Sequence, residues 1–103
     1  MKLFRATDQF QELVNARGAK LRHLNYEQLK HLDGEIEDVA VNTRPATIAT
    51  IVESMADNSL RLVLQGFMPT RLFGIKLVAL DGFYKYPDGT VKPMPDDEFK
   101  GFD

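Results

Sequence analysis

Residues 60–68 read Leu60-Arg61-Leu62-Val63-Leu64-Gln65-Gly66-Phe67-Met68. Successive side chains of a strand point to opposite faces of a sheet, so this alternation predicts a strand with one apolar and one mixed face. The apolar face is expected to carry Leu60, Leu62, Leu64 and Met68. The opposite face is expected to carry Arg61, Val63, Gln65 and Phe67.

The flanking sequence extends this strand into an antiparallel sheet. Residues 46–55 are rich in Thr, Ile and Val, which favour strands, and the turn cluster at 56–59 joins them to residue 60 as a long hairpin. The sequence of residues 75–80, Ile-Lys-Leu-Val-Ala-Leu, predicts another strand. An earlier strand is predicted where Val39 and Val41 alternate with small or polar residues. The Arg44-Pro45 dipeptide is expected to interrupt it.

The clearest turn in the chain is Pro87-Asp88-Gly89. Pro87 sets φ for the first corner of a type I turn, and Gly89 supplies the positive φ of a bulge. A hairpin is therefore predicted between residues 82–86 and 90–92.

Two helices are predicted before the sheet. The first is capped by Thr7 or Asp8, has an apolar stripe at helical spacing from Phe10 to Val14, and is expected to end at Gly18. Residues 20–24 fit either a helix or a short edge strand. A second helix over about 26–33 has Asn25 as its N-cap, with Gln28 in capping-box spacing, and Gly34 ends it.

This order of elements predicts an α+β fold with two N-terminal helices packed on one face of a five- or six-stranded, mainly antiparallel sheet. Residues 1–95 are expected to form a single domain, and residues 96–103 an acidic C-terminal tail. The Pro-Asp-Gly-Thr hairpin occurs in unrelated β proteins and identifies no family.

Composition excludes several classes of protein. The chain has 103 residues, 44% of them hydrophobic, and a formal net charge of −2, as expected for one small soluble domain. It has no cysteine, which excludes disulfides, thiolate catalysis and cysteine-type zinc sites. No apolar run approaches the roughly 18 residues of a membrane span, and the N-terminal sequence lacks signal-peptide features. A cytoplasmic protein without membrane contact is therefore expected.

Catalytic motifs are absent from the sequence. His23 and His31 stand too far apart to share a metal without other ligands, and neither Ser54 nor Ser59 lies in a Gly-x-Ser-x-Gly motif. The glycines form no phosphate-binding loop. We therefore expect a non-catalytic protein that uses no cofactor and no metal.

Positive charge gathers in residues 17–31, where Arg17, Lys20, Arg22 and His23 form a candidate site for an anion, a small ligand or a nucleic acid. The sequence pI of about 5.6 and the lack of an RNP pattern argue against nucleic acid. The alternative is a solvated helix end that attracts the acidic tail of the same chain.

Two further segments are candidate partner surfaces. The stretch around residues 66–75 is apolar for a connection, and its contact residues would be Phe67, Met68, Arg71, Leu72 and Phe73, unless they fold back over the sheet. Phe99 and Phe102 give the tail the composition of an interaction peptide, although both could instead dock on the sheet of the same chain.

The function predicted by elimination is that of a protein-binding adaptor, or an inhibitor of a basic partner, which could also form a homodimer. The alternative is the anion or ligand site described above.

Overall fold

The computed structural model describes residues 2–70 and 74–102. A long helix α1 (Lys2–Arg22) and a short helix α2 (Tyr26–Lys30) precede five strands, β1 (Ile36–Val41), β2 (Arg44–Ser54), β3 (Leu60–Pro69), β4 (Lys76–Lys85) and β5 (Val91–Pro93). A 3₁₀ helix follows at Asp96–Phe99. The strands form one antiparallel sheet in the order β1-β2-β3-β4-β5. The predicted α+β class is confirmed, with one long and one short helix.

The core lies between the helices and one face of the sheet. Phe10 and Val14 of α1 pack there against Leu64 and Met68 of β3. A second cluster joins Leu29 of α2 to Leu60, Leu62 and Phe83. The alternation predicted for β3 is confirmed, because its leucines and Met68 all point into this core.

Helix α1 does not end at Gly18 but continues to Arg22, so that prediction is wrong, and residues 20–22 are helical rather than an edge strand. Gly18 is required by a close approach instead. A Cβ at this position would lie 1.8 Å from Oδ2 of Asp81 in β4. The glycine lets the helix axis come close enough to the sheet for Arg22 to reach that carboxylate.

The predicted start of α2 is confirmed, although the helix ends earlier than expected, at Lys30. The backbone N–H of Gln28 donates to the Asn25 side chain at 2.8 Å, and the Gln28 side chain accepts from the Asn25 N–H at 2.9 Å. Gly34, with φ of +83°, begins a bulge opposite Thr50. The Gly34 N–H donates to the Thr50 carbonyl at 2.9 Å, and the Thr50 N–H donates to the Glu35 carbonyl at 2.8 Å.

Several of the hairpin turns contain a residue with a left-handed backbone, among them the β1–β2 and β4–β5 turns. Asn42 and Thr43, with φ of 49° and 70°, connect β1 to β2 in a two-residue turn. Pro45 therefore lies inside β2 instead of interrupting the sheet, since β2 pairs with β3 only from Thr47 onward. Gly89 has the predicted positive φ, at 93°, and its N–H donates to the Tyr86 carbonyl at 2.9 Å.

The segment after β5 crosses the sheet face opposite the helices. Met94 and Phe99 lie over Gly82, at 2.9 and 3.1 Å from the position that a Cβ would take there. The side-chain amide of Gln65 donates to the Phe102 carbonyl. The acidic tail therefore lies on its own sheet, and on the face away from the basic stretch that it was expected to meet.

Candidate functional site

The outer edge of β1 carries unpaired backbone groups. The backbone N–H and carbonyl groups of Glu37, Val39 and Val41 face β2. This follows from the hydrogen bonds of the Gly34 bulge and from the strand register next to the two-residue turn, because successive residues of a strand direct these groups to opposite sides. The N–H and carbonyl groups of Ile36, Asp38 and Ala40 consequently point away from β2. All three residues are exposed, and no hydrogen bond from the described residues reaches those backbone groups.

The opposite border of the sheet is largely occupied. The Gln11 side chain acts as a substitute strand, because its amide donates to the Leu80 carbonyl at 2.8 Å and accepts from the Leu80 N–H at 3.4 Å. Arg22 donates to the Gly82 carbonyl at 3.2 Å, and β5 pairs with residues 83–85. The parts of this border that lack such a cover among the described residues are the beginning of β4, at residues 76–78, and the outer side of β5, which is only three residues long and exposed.

The free edge of β1 is acidic and partly apolar. Glu35 and Asp38 are exposed and form no ion pair with the described residues. Glu37 accepts from Arg17 at 2.7 Å in an ion pair that is itself half-exposed. Ile36 leaves 70% of its surface in solvent and adds apolar area to this edge.

A cavity of about 450 Å³ adjoins this edge on the helix side. Its apolar wall is formed by Leu21, Ile48 and Leu64, and its charged rim by Arg17, Lys20, Glu35 and Glu37. The four rim charges sum to zero, so the cavity is an amphipathic recess beside β1 and not an electropositive anion site.

The basic stretch does not form one cluster of free cations. Arg22 donates to both carboxylate oxygens of Asp81, at 2.8 and 3.1 Å, and lies over the Phe83 ring. Arg17 is paired with Glu37, whereas Lys20 and His23 remain exposed. Two of the four candidate anion-binding residues are therefore neutralised by carboxylates of this chain.

The candidate partner residues are dispersed. Met68 is fully buried in the core, because residues 66–69 belong to β3 and not to a loop, so it is not accessible to a partner. Phe67 is half-buried on the opposite face, beneath the Lys76 ammonium. Arg71, Leu72 and Phe73 lie outside the described residues. Phe99 and Phe102 are half-buried against their own sheet.

Among the described residues, hydrogen bonds shift the pKa of four groups. Ser59 donates to Asp57 through its hydroxyl and its N–H, which lowers the pKa of that carboxyl. Asp88 has a lowered pKa for a similar reason, since Thr90 donates to it. The hydrogen bond to Glu98, with burial second, raises the pKa of Tyr84. The hydrogen bond to Glu53 raises the pKa of Arg61. All four shifts are those of structural hydrogen bonds at turns or around the C-terminal segment.

Two features of the candidate sites have only weak signals in the sequence. The β1 edge has a weak signal in the sequence because the Asn42-Thr43 turn is not a typical turn dipeptide, although a short strand with Glu37 and Asp38 has the charges that are typical of an edge strand. The second is Lys85, which is 6% exposed. Lys85 follows the core residue Phe83 by two positions in a strand. Residues two apart share a face of the sheet, so this spacing indicates a lysine on the core side.

Among the described residues, no group of three or more His, Cys, Asp or Glu side chains is placed to hold a metal ion. No described helix is long and apolar enough to cross a membrane. Comparison of the chain with protein-family models, with curated proteins and with solved structures finds no match.

Proposed function

We propose that the protein is a non-catalytic, cytoplasmic binding module that takes up an extended, basic segment of a partner protein as a sixth strand along β1. The observation that carries this proposal is the set of backbone groups at Ile36, Asp38 and Ala40 that have no partner among the described residues, on a sheet whose other border is covered at Leu80 and Gly82. Strand addition to an exposed sheet edge is a recurring mode of peptide recognition, in which main-chain hydrogen bonds give affinity and side-chain pockets give specificity.

Charge favours a basic segment. Asp38 and Glu35 lack a cation partner among the described residues, and opposite charges on neighbouring strands stabilise their pairing. A second copy of β1 would instead bring another set of acidic residues to the same edge. The partner strand would place alternate side chains on the helix side, where the recess beside Leu21 and Ile48 accepts apolar groups. An alternating basic and apolar sequence fits both faces.

The proposal is tested with a capped heptapeptide of alternating Val and Lys, titrated into the labelled protein and followed by amide exchange and NMR shifts. We expect protection to appear at Ile36, Asp38 and Ala40. A peptide with Glu in place of Lys should bind more weakly, because it meets Glu35 and Asp38 with like charge.

A matched pair of variants isolates the backbone contribution. Ala40→Pro removes one outward N–H and leaves the inward hydrogen bonds of β1 intact, whereas Ala40→Val keeps the donor. Losing one net hydrogen bond of about 1.4 kcal/mol weakens binding about tenfold. Equal affinity of both variants, with equal thermal midpoints, would show that the peptide does not pair with β1. Absence of binding to the parent protein would also refute the proposal.

A further inference from the structure

A second recess lies between the end of α1, the start of α2 and the β4–β5 hairpin, on the helix side of the sheet. Its volume is about 520 Å³, and its walls include His23, Leu24, Tyr26, Pro87 and Lys85. Leu24 and Tyr26 are half-buried, so the recess offers apolar surface next to a buried ammonium group.

Lys85 is poorly satisfied in its surroundings. Among the described residues, its side chain has one hydrogen bond, from Nζ to the Arg22 carbonyl at 3.2 Å, although an ammonium has three N–H donors. No carboxylate of the described residues forms an ion pair with it. The carbonyl at the C-terminus of α1 offsets part of the charge, but burying a cation without a full set of partners is unfavourable.

The other charges in the walls restrict the anion that fits. Glu27 and Asp88 also line the recess. Oε1 of Glu27 lies 3.9 Å from Nζ of Lys30. Asp88 accepts a hydrogen bond from the Thr90 N–H, so both carboxylates already have a partner outside the recess. Two carboxylates nearby would repel a doubly charged anion such as phosphate, whereas one negative charge can be matched by Lys85.

We propose that this recess binds a small organic monocarboxylate, whose carboxylate accepts from the free N–H groups of Lys85 and whose apolar body lies against Leu24, Tyr26 and Pro87. This site is separate from β1 and does not depend on the function proposed for that edge. Neither the paired residue Arg17 nor the paired residue Arg22 takes part in it as an anion ligand.

The test uses benzoate as the probe, titrated into the full-length protein and followed by amide shifts. We expect saturable shifts centred on Tyr26, Lys85 and Gly89. Lys85→Met should weaken benzoate binding at least about tenfold, as the loss of one charge-assisted hydrogen bond implies. Lys92→Met, on the neighbouring strand, should leave the affinity unchanged. Benzyl alcohol, which has the ring without the charge, should bind more weakly than benzoate.

An exposed variant keeps the proposal testable if Lys85→Met fails to fold. Glu27→Gln removes a competing carboxylate, so it should tighten benzoate binding. A parent protein that shows no saturable shifts would overturn the proposal and leave Lys85 as a cap of α1 only. Equal binding by the Lys85→Met and Lys92→Met variants, weaker binding by Glu27→Gln, or phosphate binding as tight as benzoate would also overturn it.

Discussion

Replacing Gly18 with Ala tests how α1 is held against the sheet. Glycine inside a helix costs about 1 kcal/mol relative to alanine, so propensity alone predicts a more stable protein. The structure predicts the opposite, because the new Cβ would lie 1.8 Å from Oδ2 of Asp81. Relieving this contact requires the Asp81 carboxylate to shift, which disturbs its two hydrogen bonds from Arg22.

The size of the effect follows from the exposure of that ion pair. The side chains of Arg22 and Asp81 are 33% and 17% exposed, so the pair lies between a surface pair of about 0–1 kcal/mol and a buried pair that costs about 3–5 kcal/mol to break. A loss of about 2–3 kcal/mol against a gain of about 1 leaves Gly18→Ala destabilised by about 1–2 kcal/mol. With an m value of about 2 kcal/mol/M, the urea midpoint should fall by about 0.5–1 M.

A second background decides whether Asp81 is the cause. In an Asp81→Ala protein the obstacle is gone, and Gly18→Ala should become stabilising by up to about 1 kcal/mol. Ala19→Gly, at the exposed neighbouring position, measures the cost of a glycine in this helix away from Asp81. A midpoint that rises for Gly18→Ala in the parent protein, or falls in the Asp81→Ala protein, would refute the packing argument.

Two further predictions concern turns. Gly89→Val places a β-branched side chain at a φ of +93° and should destabilise the protein by about 1 kcal/mol or more; an unchanged thermal midpoint would contradict the turn geometry. The lowered pKa of Asp57 means that its stabilising contribution is complete above the ordinary value of 3.8 and is lost as pH falls through the lower folded value. Asp57→Asn retains an acceptor oxygen without this titration, so its stability should fall less than that of the parent between about pH 4 and pH 2. Parallel acid unfolding curves for the two proteins would exclude this role of Asp57.

The sequence predicted features that depend on local pattern. The two faces of β3, the capping box at Asn25 and the turn at Gly89 follow from residue spacing and backbone preference alone. Gly18 was misinterpreted because its reason is Asp81, a contact distant in sequence. The β1–β2 hairpin was not predicted, because its turn has Thr43 in a left-handed conformation. A β-branched residue rarely adopts that conformation, so Thr43 does not indicate such a turn.

The candidate sites were harder to predict than the fold. Arg22 belongs to a basic cluster in the sequence, but in the fold it forms an ion pair with Asp81. Met68 belongs to an apolar stretch, but alternation with Phe67 buries it. Lys85 becomes notable only when the end of α1 is placed beside it, and that placement depends on how the helix crosses the sheet.

The contrast between the two borders of the sheet sets a limit on stoichiometry. Whatever pairs with β1 saturates the free border with one equivalent, since Gln11 and Arg22 occupy most of the other. If two copies met through β1, each would contribute five strands, and the joint sheet would end in a largely occupied border at both sides. Growth by further edge pairing, the route to fibrils, is thereby restricted. The Gln11 amide thereby blocks strand pairing at Leu80, in the middle of the other border.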